Sequence, residues 1–163
     1  MKKTVLLLLA VLLLFSAVSC NQEAEEPKAA FANAVVNGVE IAIDDEAASV
    51  LSALGKEILY EESPSCAFEG MDKIYLYSGF SVQTYTKGGK DYIRSLELLD
   101  DSQSTKEGIA IGASESDVIA KYGTASAQTA TSIQYTNAQK GVTLQFILRN
   151  GSVTNIQYLK NED

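Results

Sequence analysis

Residues 109–123 read IAIGASESDVIAKYG, and residues 41–55 read IAIDDEAASVLSALG. Aligned without a gap, Ile41, Ala42, Ile43, Val50 and Gly55 meet the identical residues Ile109, Ala110, Ile111, Val118 and Gly123. Leu51 meets Ile119 and Leu54 meets Tyr122, so the apolar positions agree as well. Each stretch opens on alternation that suits the end of a strand. Each then continues with apolar residues three and four apart, the spacing of one helical face. That face is Ala47, Val50, Leu51 and Leu54 in the first copy, and Val118, Ile119 and Tyr122 in the second. Gly55 and Gly123 stand where each helix should stop, since glycine takes positive φ without a steric penalty. The two starts differ. Ser114 with Asp117 three residues on is the acidic form of a capping box. The first copy has Asp44-Asp45-Glu46 instead, a triplet expected to cap free N–H groups at the positive end of the helix dipole.

Around these stretches the chain has β patterns. Asn37-Gly38 between valines signals a two-residue hairpin. After the first helix come runs at 58–60, 74–77, 80–86 and 92–99, with 61–65 expected to be a loop because Pro64 lacks an N–H. Residues 100–106 contain no apolar side chain and read as a connector. After the second helix come runs at 132–136, 142–148 and 153–159, the last two joined by Asn150-Gly151. Leu144, Phe146 and Leu148 alternate with polar neighbours, as in an antiparallel sheet wet on one face. The expected fold is α+β: two tandem repeats of a helix plus antiparallel strands, residues 35–103 and 104–163, forming one sheet with both helices packed on one face.

The N-terminus reads as an address. Lys2 and Lys3 precede an unbroken apolar run from Val5 to Phe15, followed by small residues and Cys20. The run is too short to span a bilayer and suits a secretory signal over residues 1–19. Residues 20–34 lack periodicity, carry three close glutamates, and read as a flexible tether. The chain has 13 basic and 21 acidic residues. Loss of Lys2 and Lys3 with the signal would widen that imbalance, which excludes nucleic acid as a partner and electrostatic docking on anionic lipid.

Catalytic chemistry is sparsely represented. The chain has no histidine, which removes the commonest general base and a common metal ligand. Two cysteines cannot make a zinc cluster, and no nucleophile motif of the G-x-S-x-G or S-x-x-K kind occurs. No enzyme activity, no cofactor and no metal site are expected. The remaining enrichment is tyrosine, eight against no tryptophan. Tyr75, Tyr77, Tyr85 and Tyr92 fall in the first unit's strands. Together with Cys66 they are the candidate binding surface, tyrosine being favoured both in recognition patches and on half-wet sheets. Cys66 itself suits a small buried residue more readily than a redox centre.

The residues just before Cys20 resemble the lipobox of bacterial lipoproteins, with Ala17 where such boxes more often carry leucine. That resemblance implies cleavage before Cys20, attachment of lipid to its sulfur, and a place at the cell membrane facing away from the cytoplasm. Further on, Gly112-x-Ser114-x-x-Asp117-Val118-x-x-x-Tyr122-Gly123 resembles the repeat of the β-lactamase-inhibitory-protein-like fold and of the SmpA/OmlA or BamE type of outer-membrane lipoprotein domain. Residues 35–160 would hold two copies, the first with Asp44 in place of the leading glycine. In this likeness Gly55, Gly112, Ser114, Asp117, Val118, Tyr122 and Gly123 are structural. The implied role is a non-catalytic module that binds another envelope or extracellular protein. The alternatives are a small-molecule or peptide binder, or an inhibitor of a secreted enzyme such as a β-lactamase. The inhibitor's repeats carry disulfides, for which Cys66 has no partner, and none of its enzyme-contacting residues is matched here.

Overall fold

A computed structural model describes residues 31, 33–66 and 70–161. The signal at 1–19, the lipidation candidate Cys20 and most of the tether lie outside the described residues. The elements are β1 (Asn33–Val36), β2 (Val39–Ala42), α1 (Ala47–Leu54), β3 (Leu59–Pro64), β4 (Met71–Tyr77), β5 (Phe80–Lys87), β6 (Lys90–Leu98), α2 (Glu115–Tyr122), β7 (Ala127–Thr129), β8 (Ser132–Asn137), β9 (Val142–Arg149) and β10 (Ser152–Lys160). Strands β1 and β2 form a separate hairpin, and the other eight form one antiparallel sheet in the order β3-β4-β5-β6-β10-β9-β8-β7.

The α+β expectation is overturned: the molecule is mostly β. Its helices have eight residues each, and each buries only two side chains, Ala47 and Val50 in α1 and Val118 and Tyr122 in α2. Leu51 and Leu54 are only partly buried and Ile119 is exposed, so the apolar helical faces are narrower than their spacing suggests. The hairpin β1–β2 shares the task of covering the sheet, through Ala34, Val36 and Ile41. One continuous core takes in Ile43 and Val82 from the first half and Leu144 and Tyr158 from the second.

Two further expectations change. Phe31, placed in the tether, is buried and packs edge-on against Tyr122, with ring centroids 6.3 Å apart. An aromatic ring brings too much apolar surface to stay in water when a ring cluster is within reach. Residues 61–64, expected as loop, belong to β3. Pro64 is tolerated because β3 is an edge strand, where a missing N–H on the outer side breaks no ladder bond. The polar connector at 100–106 is tied to the β1–β2 hairpin. Gln103 donates to Asn37 Oδ1 at 3.0 Å, Lys106 pairs with Glu40 at 2.7 Å, and Thr105 is buried.

Rows of directly paired residues share one face of the sheet. The row Tyr77, Phe80, Leu98, Ile156, Phe146, Ile133 and the row Tyr75, Val82, Leu96, Tyr158, Leu144, Tyr135 run across the core side. Each fully buried Phe, Leu or Ile among them is worth about 1.5–3 kcal/mol relative to exposure. The seam between the two halves is β6–β10, where Leu98 faces Ile156, Glu97 faces Gln157 and Leu96 faces Tyr158.

The ends of that seam are closed by matching hydrogen bonds. Beyond the end of β10, Asp44 donates its amide to Ile93 O at 2.8 Å, and Ile93 donates to Asp45 O at 2.9 Å. Beyond the end of β6, Gly112 donates to Val153 O at 2.8 Å, and Val153 donates to Ala113 O at 2.8 Å. Bridges Glu46–Tyr92 and Ser114–Ser152 follow at corresponding places. The stretches 41–55 and 109–123 thus perform the same local task, anchoring a short helix to the next free length of a central strand.

Candidate functional site: the open sheet face

The side of the large sheet opposite the core carries a different set of residues. The row Leu59, Leu76, Ser81, Glu97, Gln157, Gln145, Gln134, Ala127 crosses all eight strands. A second row runs Glu61, Ile74, Gln83, Ser95, Leu159, Thr143, Thr136. None of these belongs to the core cluster. This is what strict alternation produces: in β9 the core-facing Leu144, Phe146 and Leu148 are buried, while Thr143, Gln145 and Ile147 are half-buried.

At the centre of this face, the Glu97 carboxylate accepts from the side-chain amides of Asn155 and Gln157, the latter at 3.3 Å. Asn155 Oδ1 is buried and makes no hydrogen bond among the described residues. Toward β3, Arg94 projects onto the face from β6, near the β5–β6 irregularity, and its guanidinium lies 3.5 Å from Asp72. Two hollows adjoin it: one of about 390 Å³ lined by Gln83, Arg94, Ser95, Leu159 and Lys160, and one of about 280 Å³ lined by residues of β3, β4, β5 and β6 including Glu61, Asp72 and Arg94. Amides, hydroxyls and the carboxylates of Glu61, Asp72 and Glu97 at strand spacing can exchange hydrogen bonds with a polar partner surface. No group of three or more metal-capable side chains occurs among the described residues.

The five candidate residues do not form one patch. Tyr75 and Tyr77 lie on the core side, Tyr75 half-buried 5.1 Å from the ring of Tyr60, Tyr77 buried and stacked on Phe80 at 4.9 Å. Tyr85 and Tyr92 lie on the opposite side, their rings 5.9 Å apart. Tyr85 is only 2% exposed and donates its hydroxyl to Asp44 Oδ1 at 2.5 Å, while Lys160 reaches the other Asp44 oxygen at 3.3 Å. Tyr85 is therefore a structural post holding the first helix junction to the sheet. Cys66 is exposed just beyond β3, against the expectation of a small buried residue, because among the described residues the edge strand has no element outside it to bury the thiol.

The motif residues do local work. Ser114 Oγ accepts from the Asp117 amide at 3.2 Å, and the Asp117 carboxylate accepts from the Ser114 amide at 3.1 Å and from its hydroxyl at 2.6 Å. These bonds from Ser114 hold the Asp117 carboxyl below its usual range. The acidic triplet before α1 does not cap: Glu46 makes no side-chain cap bond and pairs instead with Lys90 at 2.8 Å. Tyr122 is buried against Phe31, Tyr135 and Phe146, with its hydroxyl bonded to Glu107. Burial first, then neighbouring Tyr158 and Glu107, push that phenol well above its normal pKa.

Sequence spacing missed the open face. Its signal was present in the polar alternates Gln134, Gln145, Gln157 and Glu97, but these become one row only when the registers of four strands are known. No family model matches this chain, and no curated protein matches it. Among solved structures, it is similar to an extracellular protein containing a SCP domain from Bacillus anthracis, at 13% identity and a TM-score of 0.43. The match covers 72% of this chain and 44% of that one, so the chain spans less than half the length of the structure it matches, a likeness too loose to bear on fold family or activity.

Proposed function

We propose that this protein is a membrane-anchored lipoprotein of the extracytoplasmic space, and that its body is a non-catalytic module that binds another envelope or extracellular protein through the open face of the eight-stranded sheet. The observation that carries the binding role is the polar row Glu97–Gln157–Gln145–Gln134, none of whose members joins the core cluster. Side chains this numerous at strand spacing suit a broad protein surface better than a small ligand. The anchor is supported by the basic pair, apolar run and small residues ahead of Cys20. Acyl chains gain about 0.8 kcal/mol per buried CH₂, so more than one chain holds a body firmly at a membrane.

The test is crosslinking and co-purification of the full chain from its native envelope, beside a variant with Gln145→Arg and Gln157→Arg. Both residues lie off the core, so the fold should persist. A partner retained by the wild type and lost with the variant is the expected result; equal recovery with both would refute the use of this face.

A further inference from the structure

The large sheet ends unequally. One edge, β7, is three residues long; the other, β3, is six residues long and exposed at every position. Beside and within it are Ile58 (70% exposed), Leu59 (49%) and Tyr60 (40%), with Ile74 (38%) on the neighbouring strand. Exposed edges of this length and apolarity invite strand pairing unless something prevents it. The direction of the free main-chain groups follows from the ladder. Ser65 donates to Gly70 O at 3.0 Å, so that pair is hydrogen-bonded, and in an antiparallel ladder such pairs alternate. Leu59, Glu61 and Ser63 therefore bond inward to β4, while Tyr60, Glu62 and Pro64 turn their main-chain groups outward. The place of Pro64 agrees, since its missing N–H falls on the free side.

We infer that β3 is a docking edge that takes one extended polypeptide segment as a ninth strand, cationic where it faces Glu61 and Glu62 and apolar where it faces Leu59 and Tyr60. Charge selects this occupant over two others. A second copy pairing antiparallel through β3 would set Glu61 and Glu62 against the same residues, and like charges directly opposite destabilise a sheet. The chain's own residues 21–30, with Glu23, Glu25 and Glu26 against one Lys28, would bring acid to acid. A cationic strand meets the exposed Glu61 and adds to the Tyr60 hydroxyl and the cross-strand Lys73 already beside Glu62, and the outward groups of Tyr60 and Glu62 supply its backbone bonds, the recognition mode of strand addition. The docking edge is independent of the open face proposed above.

The probes are two end-blocked hexapeptides, Thr-Thr-Lys-Lys-Val-Val and Thr-Thr-Glu-Glu-Val-Val, titrated by NMR into the full chain in detergent. The lysine peptide should shift and protect the amides of Tyr60 and Glu62 and bind about tenfold more tightly than the glutamate peptide, the sum of two favourable cross-strand pairs. Glu62→Pro removes an outward N–H together with the carboxylate that accepts from the Tyr60 hydroxyl; it should keep the fold, since no ladder bond to β4 is lost, and abolish binding. Glu61→Lys with Glu62→Lys should invert the peptide preference while keeping the backbone intact. Equal binding of both peptides, shifts confined to the open face, survival of binding in Glu62→Pro, or dimerisation of the wild type lost in Glu62→Pro would each overturn the inference. Gln145→Arg with Gln157→Arg should leave the peptide affinity unchanged.

Discussion

Asp44 and Gly112 hold equivalent positions at the starts of the two helices. Both have left-handed backbones, φ 73° and 93°, and each donates its amide to a central-strand carbonyl at 2.8 Å, Asp44 to Ile93 and Gly112 to Val153. The glycine meets the conformational demand without strain. The aspartate pays it with a short polar side chain that tolerates this region, and it gains the hydroxyl of Tyr85 and the ammonium of Lys160. Gly112→Ala meets open space, so only the backbone term applies, and a loss of about 1–2 kcal/mol in chemical denaturation is expected.

Tyr85→Phe should cost about 1 kcal/mol by removing the donor to Asp44. Asp44→Gly should cost a similar amount, since easing the backbone does not offset the loss of this bond to a buried phenol. The double variant should be no worse than either alone by more than a few tenths, the mark of two residues acting as one contact. Additive losses would show that the Tyr85 hydroxyl and Asp44 act through separate partners.

The Lys73–Asp91 pair, at 2.6 Å and partly shielded, should appear in the acid titration of stability. Burial acts to raise the Asp91 carboxyl, but bonds from Lys73 and Thr86 prevail and hold it below its ordinary value. A carboxylate depressed in the folded state adds stability above its unfolded pKa, and that stability is lost as pH falls through the folded pKa. Asp91→Asn should therefore weaken the protein at neutral pH by under about 1 kcal/mol, solvent reaching both groups, and the gap from wild type should close toward pH ~3 in urea melts.

Cys66 is exposed beside the docking edge. A thiol reagent should modify it in the native protein without denaturant. Cys66→Ser should change stability by no more than about 0.5 kcal/mol, as for surface substitutions away from packed features. Slow labelling that speeds up only on unfolding would contradict its exposure.

Cys20→Ala tests the anchor. Labelled fatty acid should enter the wild type and not the variant, and the variant should leave the membrane fraction. Retention of label would place the lipid elsewhere.

Much of the strand content was legible because alternation is local: 80–86, 92–99, 142–148 and 153–159 lie within β5, β6, β9 and β10 or end one residue beyond. The serine cap and the glycine stops were legible for the same reason, each being decided within four residues of chain. The fold class was misjudged because a repeated helical motif is conspicuous in sequence while contributing only eight residues per helix. Phe31 looked like tether because nothing beside it in sequence says that Tyr122 and Tyr135 wait to pack against it.

The sequence by itself determined where the strands alternate, where Ser114 and Gly123 bound a helix, and, through the residues before Cys20, the proposed address. The tertiary structure decided which alternates meet. It put Glu97, Gln157, Gln145 and Gln134 in one row, sent Tyr75 and Tyr85 to opposite faces, and left β3 at the sheet edge with no strand on its outer side among the described residues. The physical reason is that side-chain direction is set residue by residue along a strand, whereas register and edge are set by pairing across residues far apart in the chain, which no local pattern encodes.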